Sequence, residues 1–178
     1  MAREFWDIDP SHSSVGFTVR HMVFAKVHGR FSKFAGTIEI DRERPGNSSV
    51  IVTIEAKSID THEEKRDAHL RSADFLDVEE FPELAFRSTG VRPGEGGKFQ
   101  VVGDLAIRGV ARPLTLEAES LGEGKDPWGN ARAGFTAHAT VNRLDYGLKW
   151  NQVLEAGGML VGDRVDVEID IEAVKRAP

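Results

Sequence analysis

The stretch RVDVEIDIEA, residues 164–173, decides the fold class, because its apolar and charged residues alternate without a break. Val165, Val167, Ile169 and Ile171 fall on one face of an extended chain, and acidic side chains fall on the other. Successive side chains of a β-strand point to opposite faces, whereas an amphipathic helix needs apolar residues three or four positions apart. The segment therefore predicts a strand with one face in a core and the other in water.

The same two-residue alternation recurs along the chain and predicts an all-β protein. The predicted strands cover residues 13–21, 34–40, 50–57, 84–89, 99–107, 113–119, 131–142 and 165–173. Turn residues separate them, and the turn RPGEGG makes 84–89 and 99–107 a hairpin. The long helices that βαβ units require between strands are missing from the pattern. An open antiparallel sheet of this size would leave two long unpaired edges, so we expect an eight-stranded barrel.

The strand at 131–142 predicts a lumen with space in it. Its inward face carries Ala133, Phe135, Ala137, Ala139 and Val141, a set dominated by small side chains. A barrel of eight strands either fills itself with side chains or holds one small ligand. Glycines within strands, such as Gly36 and Gly103, also favour open space, although glycines can mark bends as well. We therefore expect an apolar cavity, and a filled barrel remains the alternative.

One segment, RDAHLRSADFLDVEEFPELAF at residues 66–86, departs from the strand pattern. Thr61 and Glu64 have the spacing of a capping box, which predicts a short helix from about His62 to Ala73. We expect this insertion to brace the barrel beside its mouth.

The charged residues of the insertion have two interpretations. Asp67 and Arg71 are four residues apart and can pair on a helix, and Asp74 can join them in an ion-pair cluster that fixes the insertion. The alternative is contact with a ligand. His62 and His69 are two helical turns apart, a poor spacing for one metal ion, so we expect no metal site.

Composition excludes several classes of protein. The chain has 178 residues, which suits one domain over residues 1–178. Its net charge of −6, with scattered basic residues, argues against nucleic-acid binding. The sequence shows no membrane-spanning run and no secretory signal, so we expect a cytoplasmic protein. The absence of cysteine rules out thiol catalysis and disulfides.

Four stretches of the sequence resemble the YceI family of lipid-binding proteins, and the resemblance extends over nearly the whole chain. The stretches are WDIDPSHSSVGFTVRH at 6–21, the insertion at 66–86, GDLAIRGVARPLTL at 103–116 and GDRVDVEIDIEA at 162–173. This resemblance implies an extended, lipocalin-like antiparallel barrel with an apolar lumen. It also implies non-catalytic binding, transport or storage of a polyisoprenoid or another long-chain amphiphilic lipid, and a homodimer.

A ligand of this kind needs an apolar lining for its tail and polar groups for its head. The residues that we expect to line the tail are Phe17, Phe75, Phe81, Phe135, Ala137, Ala139, Leu148 and Trp150. The residues that we expect at the mouth, if the head group is anionic, are Arg20, His21, Arg66, His69 and Arg71. We expect no cofactor besides the bound lipid.

Two other functions fit parts of the sequence. An enzyme acting on a hydrophobic substrate could use His69 with Asp67 or Asp74, provided that these groups converge inside a cavity. A stress-related structural module with a filled barrel is the other alternative. Both depend on geometry that the sequence does not fix.

Overall fold

The computed structural model of the chain describes residues 3–152, 154 and 159–177. Within these residues it contains eleven β-strands and one α-helix. The elements are β1 (Arg3–Ile8), β2 (Ser14–His21), β3 (Ala25–Phe31), β4 (Phe34–Asp41), β5 (Ser49–Glu55), β6 (Ile59–Asp60), α1 (Glu64–Arg71), β7 (Glu83–Pro93), β8 (Lys98–Ile107), β9 (Val110–Lys125), β10 (Ala131–Asn142) and β11 (Val161–Lys175).

Eight of the strands close into an antiparallel barrel, which confirms the predicted fold. Their order around the ring is β1, β4, β5, β7, β8, β9, β10 and β11, and the pairing of β1 with β11 closes it. At the closure Ile8 lies opposite Ala173 and Trp6 opposite Lys175. Closure leaves no free sheet edge in the ring, so each of its strands is paired on both sides.

The strand that closes the ring is not the one that the sequence pattern indicated. The predicted strand at 13–21 corresponds to β2, which pairs with β11 beyond the point where β1 ends. Strands β2, β3 and β6 then form a three-stranded extension of the wall at one end of the barrel. The closing strand β1 was missed because only Trp6 and Ile8 among its six residues are buried apolar side chains.

A small second core explains part of the alanine-rich face of β10. Trp6 and Ala173 are fully buried, and Ala133 is almost so. The indole of Trp6 packs against the two alanines, and its Nε1 donates to Glu4 at 3.1 Å. The small side chain at Ala133 therefore makes room for the closing strand and not for a ligand.

The in-strand glycines mark close approach between strands, which corrects the expectation that they open the lumen. A Cβ at Gly103 would lie 2.5 Å from the carbonyl oxygen of Arg87. A Cβ at Gly36 would lie 2.7 Å from Cδ1 of Ile8 and 2.8 Å from the carbonyl oxygen of Ile51. Glycine is needed at both positions because neighbouring atoms occupy the space that a side chain would take.

The helix exists, but the capping box predicted for it is wrong. Helix α1 begins after Glu63, whose carboxylate accepts hydrogen bonds from the backbone N–H groups of Lys65 and Arg66. The hydroxyl of Thr61 instead donates to Asp67, which is 4% exposed. Burial of that carboxylate demands hydrogen-bond donors, and Thr61 is the residue that supplies them.

The predicted pairing of Asp67 with Arg71 is also absent from the described structure. Arg71 donates from Nε to the carbonyl oxygen of Lys57 at 3.1 Å, and its Nη1 lies 3.4 Å from Glu64.

Helix α1 is eight residues long, and no helix in the described part of the chain has the length and hydrophobicity needed to cross a bilayer.

Candidate functional site

The lumen contains two adjoining apolar cavities. The upper cavity, of about 300 Å³, lies under helix α1 and the β2–β3–β6 extension. The lower cavity, of about 430 Å³, extends towards the turn between β7 and β8. Four residues line both cavities and form a neck between them: Val15, Ile54, Leu105 and Val167. The two cavities therefore form consecutive compartments of one lumen, and the alternative of a barrel filled by side chains does not fit this structure.

The lower cavity is almost entirely hydrocarbon. Phe135 and Ala137 of strand β10 line it, as the alternating pattern of that strand predicted. The ring of Phe135 makes an edge-to-face contact with Phe99, with centroids 6.2 Å apart. Ala139 is buried in the same core but lines neither cavity. This compartment offers a ligand apolar contacts and few hydrogen-bond partners.

Aromatic side chains from three parts of the chain meet at the wall of the upper cavity. The ring of His69 on α1 lies edge-on to Phe75 and to Trp150, with centroid distances of 5.1 and 4.5 Å. Phe75 and Trp150 also contact each other at 5.5 Å. Phe17 and Leu148 line the same cavity. Four of the residues expected to contact a lipid tail thus surround the upper compartment.

The upper cavity has a basic end. Its lining includes three arginines and two histidines but no acidic residue among the described ones. The basic residues are Arg20, His21, Arg66, His69 and Arg143. Positive charge facing an otherwise apolar space favours an anionic group there, because no carboxylate among the described lining residues competes for it.

Arg66 is held in place by Thr61. Its Nε donates to the hydroxyl oxygen of Thr61 and its Nη2 to the carbonyl oxygen of the same residue, both at 2.7 Å. The hydroxyl in turn donates to the buried Asp67. Among the described residues Nη1 of Arg66 has no hydrogen-bond acceptor, so it is available to a ligand.

Arg143 is the component of the basic end that sequence reasoning missed. It is 4% exposed and donates to the backbone carbonyl oxygens of Leu148, Trp150, Val161 and Gly162. These contacts hold the segment around Trp150 against the start of β11. Burial lowers the pKa of Arg143, and the carboxylate of Asp163, 3.6 Å away, partly opposes that effect. An arginine just after a strand resembles any surface residue in the sequence, so no local pattern distinguished it.

Besides Ala139, two of the predicted site residues, Phe81 and Arg71, line neither cavity. Phe81 lines neither cavity, and its ring instead packs where a side chain at Gly109 would project, 2.8 Å from a Cβ built there. Arg71 also lines neither cavity, because its guanidinium faces Lys57 and Glu64. Both residues stabilise the insertion around α1.

The side chains proposed for acid–base catalysis are divided between separate partners. Asp67 accepts from the backbone N–H of Thr61 at 2.9 Å and from its hydroxyl. Asp74, with a half-exposed side chain, lies 2.8 Å from Nε2 of His69. Neither carboxylate is among the residues that line the upper cavity. Among the described residues, the enzymatic interpretation therefore has no carboxylate that lines either cavity.

A cluster of side chains outside the lumen has groups that could bind a metal ion, but the guanidinium of Arg132 already lies within it. Ligand atoms of Asp9, His12 and Glu172 lie within 4.8 Å of one another. Nη1 of Arg132 donates to both carboxylates at 2.9 Å. Hydrogen bonds from Ser11 and then from Arg132 hold the pKa of Asp9 well below its usual range. The guanidinium compensates the acidic charge there, and the cluster fastens the end of β1 to β10 and β11.

Comparisons with known proteins agree with this architecture. The family model described as a YceI-like domain matches residues 6–173. The UPF0312 protein plu2095 of Photorhabdus laumondii is 43% identical over 143 residues, which are 80% of this chain and 74% of that protein. Protein YceI of Escherichia coli O157:H7 is 38% identical over 170 residues, which are 96% of this chain and 85% of that protein.

Solved structures show the same fold. Burkholderia cenocepacia BcnA matches with a TM-score of 0.81 at 21% identity, covering 93% of this chain and 98% of that one. A polyisoprenoid binding domain from Saccharophagus degradans, implicated in plant cell wall breakdown, matches with a TM-score of 0.67 at 15% identity, covering 97% of this chain and 98% of that one. Together with the family model over residues 6–173 and the relatives in sequence, they show that this protein belongs to the YceI-like domain family.

Proposed function

We propose that the protein is a non-catalytic carrier that binds one long-chain amphiphile in its lumen, with a polyisoprenoid as the first candidate. The observation that carries this proposal is the pair of adjoining apolar cavities, of which the upper is lined by five basic side chains and the lower by one, Lys98. The structural neighbour from Saccharophagus degradans that is described as a polyisoprenoid binding domain supports this choice of ligand.

The proposed orientation places the head group among the basic residues and the tail through the neck. The tail then passes Val15 and Val167 and ends beside Phe135 and Ala137 in the lower cavity. Burial of one isoprene unit of five carbons is worth about 4 kcal/mol at ~0.8 kcal/mol per methylene, before ordering costs. A hydrogen bond to a charged head group adds about 1.5–3 kcal/mol. Tail length therefore determines most of the binding affinity, and the head group determines the orientation of the ligand in the lumen.

An anionic head group, such as a phosphate or diphosphate, suits the basic end best. The Nη1 atom of Arg66 is free to donate a hydrogen bond to the head group. The buried guanidinium of Arg143, which is fixed by hydrogen bonds to backbone carbonyl oxygens, attracts the same negative charge electrostatically. A neutral head group would leave Arg66, which has no ion-pair partner among the described residues, without a counter-ion; Arg143 already has Asp163 at 3.6 Å. An isoprenyl phosphate therefore meets the requirements of both ends of the lumen.

Two expectations from the sequence remain predictions. One is the homodimer implied by the family resemblance, and the other is the cytoplasmic location. Native mass spectrometry of the purified protein measures the first directly, and cell fractionation measures the second.

The direct test of the function is to identify what the purified protein contains. Native mass spectrometry under mild conditions is compared with solvent extraction followed by lipid mass spectrometry. We expect a long-chain lipid at up to one molecule per chain. Delipidated protein is then titrated with a prenyl phosphate, a prenyl quinone and a fatty acyl compound. Protein that is always isolated empty and binds none of the three would refute the proposal.

A further inference from the structure

The turn between β2 and β3 exposes three consecutive apolar side chains. Met22, Val23 and Phe24 are 44%, 55% and 85% exposed. We call these three residues the apolar tip. Phe24 is the most exposed of the large hydrophobic residues in the described structure. Single apolar residues are commonly exposed, because a folded protein has too few polar atoms to cover its whole surface. Three consecutive exposed apolar residues at a convex turn exceed this ordinary background.

The backbone of the apolar tip is unfavourable for the residues that it carries. Met22 and Val23 have φ values of 52° and 69°. The apolar tip connects His21 to its strand partner Ala25, and turn positions with positive φ normally carry Gly, Asn or Asp. A β-branched residue such as valine in this region is a genuine outlier. Neither turn geometry nor solubility accounts for these two residues, so their side chains point to a contact.

The apolar tip lies beside the mouth of the upper cavity. Arg20 and His21, which line that cavity, directly precede it in the chain. The backbone N–H of Met22 donates to the carbonyl oxygen of Leu160 at 2.8 Å, and the side chain of Leu160 lines the same cavity. Met159, 45% exposed, extends the apolar surface on that side. Anything that covers the apolar tip therefore lies next to residues that line the upper cavity.

We propose that the apolar tip inserts into the surface of an anionic lipid bilayer and thereby brings the mouth of the upper cavity to the membrane. This inference rests on the proposed function, since a lipid carrier must take its ligand from a bilayer or return it there. The mouth and the apolar tip would meet the membrane together.

Charge supports an anionic surface as the partner. Arg20 and Lys26 lie opposite each other on β2 and β3 at the base of the apolar tip, and both are exposed. Among the described residues neither has a carboxylate within the 4.0 Å that defines an ion pair. Basic residues that flank an apolar insertion are the usual means of binding anionic lipid head groups.

Size argues against a second protein as the partner. A stable protein–protein interface buries about 800 Å² on each partner. A fully buried aromatic side chain supplies only roughly 150–250 Å². Three residues at a convex tip fall short of that requirement, whereas a bilayer accepts a small protruding apolar group without a complementary groove.

The test is flotation of the delipidated, full-length protein with vesicles of phosphatidylcholine and phosphatidylglycerol in a roughly 3:1 ratio, which gives the surface a negative potential. Pure phosphatidylcholine vesicles serve as the neutral comparison. The main variant combines Met22→Asn, Val23→Gly and Phe24→Ser. Asn and Gly both tolerate the positive φ of positions 22 and 23, so the hairpin is retained. The control is Trp128→Ser, which removes an aromatic side chain that is 81% exposed in the β9–β10 turn.

The expected result is binding of the wild type to anionic vesicles and a loss of at least about tenfold in the tip variant, from the burial of one aromatic side chain. The Trp128→Ser control binds like the wild type. Lys26→Gln weakens binding to anionic vesicles by about fivefold and leaves binding to neutral vesicles unchanged.

Two measurements in solution separate this inference from the proposed function. Binding of a soluble short-chain prenyl phosphate reports on the lumen alone, and the tip variant should retain it. Light scattering reports the oligomeric state. Wild-type protein that stays off both kinds of vesicle overturns the inference while leaving the lumen function intact. A tip variant that binds vesicles normally, or that loses a dimer present in the wild type, also overturns it. Vesicle binding without any prenyl phosphate binding refutes the proposed function instead.

Discussion

Replacing Ala137 with tryptophan should block the lower cavity without disturbing the barrel wall. Ala137 lies in the middle of β10, opposite Ile169 of β11 and Ala118 of β9, and its side chain faces the cavity. An indole at this position projects into a space of about 430 Å³ that other side chains leave open. The substitution therefore competes with the ligand and not with the protein core.

The expected loss of affinity follows from the hydrocarbon that the indole displaces. Exclusion of one isoprene unit removes about 4 kcal/mol of burial at ~0.8 kcal/mol per carbon. Each 1.4 kcal/mol changes Kd about tenfold, so Kd should rise by roughly three orders of magnitude. A ligand short enough to stay in the upper cavity should be affected much less. The ratio of the two effects measures how deeply the tail enters.

The assay is titration of delipidated protein with prenyl phosphates of increasing chain length, with thermal unfolding measured in parallel. His138→Trp is the matched control, because His138 is the next residue on the same strand and is exposed on the outer face. It should bind every chain length like the wild type. Its melting temperature should also match that of Ala137→Trp, because neither indole enters a packed core.

Two results would contradict the reasoning. Normal binding of long ligands by Ala137→Trp would mean that the tail does not use the lower cavity. A fall in melting temperature of roughly 2–12 °C would mean that the space is filled in solution, since overpacking a core costs about 1–3 kcal/mol. The control variant separates the second result from a general intolerance of tryptophan in β10.

Three further predictions concern the head group, the wall and the acid stability of the barrel. Arg66→Gln should weaken binding of a prenyl phosphate by roughly tenfold or more, through loss of a charge-assisted hydrogen bond, and leave a prenyl alcohol unaffected in the same titration. Gly103→Ala should lower the free energy of unfolding by about 1–3 kcal/mol in urea, whereas Gly90→Ala, which meets no atom within 4 Å, should not; equal effects would refute the close-contact explanation. Hydrogen bonds from Arg132 lower the pKa of Asp126 from 3.8 to about 2. A lowered carboxyl pKa gives stability that is present above the unfolded value and lost as the pH falls through the folded one. The urea midpoints of wild type and Arg132→Gln should therefore differ at pH 5, and the difference should shrink as the pH falls from about 4 towards 2; a difference that does not shrink over this range would exclude this cause.

Local alternation predicted part of the lumen lining in the long strands, although Ala133 and Ala139 on the same face of β10 line neither cavity. Phe17, Phe135 and Ala137 line a cavity because each occupies the inward phase of a two-residue pattern. The same approach failed for Phe81 and Arg71, which belong to the insertion around α1. The insertion has no regular alternation of apolar and polar residues. The prediction that these two residues lie at the site therefore rested on their residue type alone.

The sequence by itself determined the all-β class, seven of the eight strands in the ring and the apolar character of the lumen. Each follows from side-chain alternation, which is a property of neighbours in the chain. Tertiary structure decided that β1 closes the ring, that the lumen has two compartments, and that Arg143 turns inwards. These features depend on contacts between residues far apart in sequence, such as Ile8 with Ala173. The free energy of pairing two strands depends on both strands, and a short window of sequence includes only one of them.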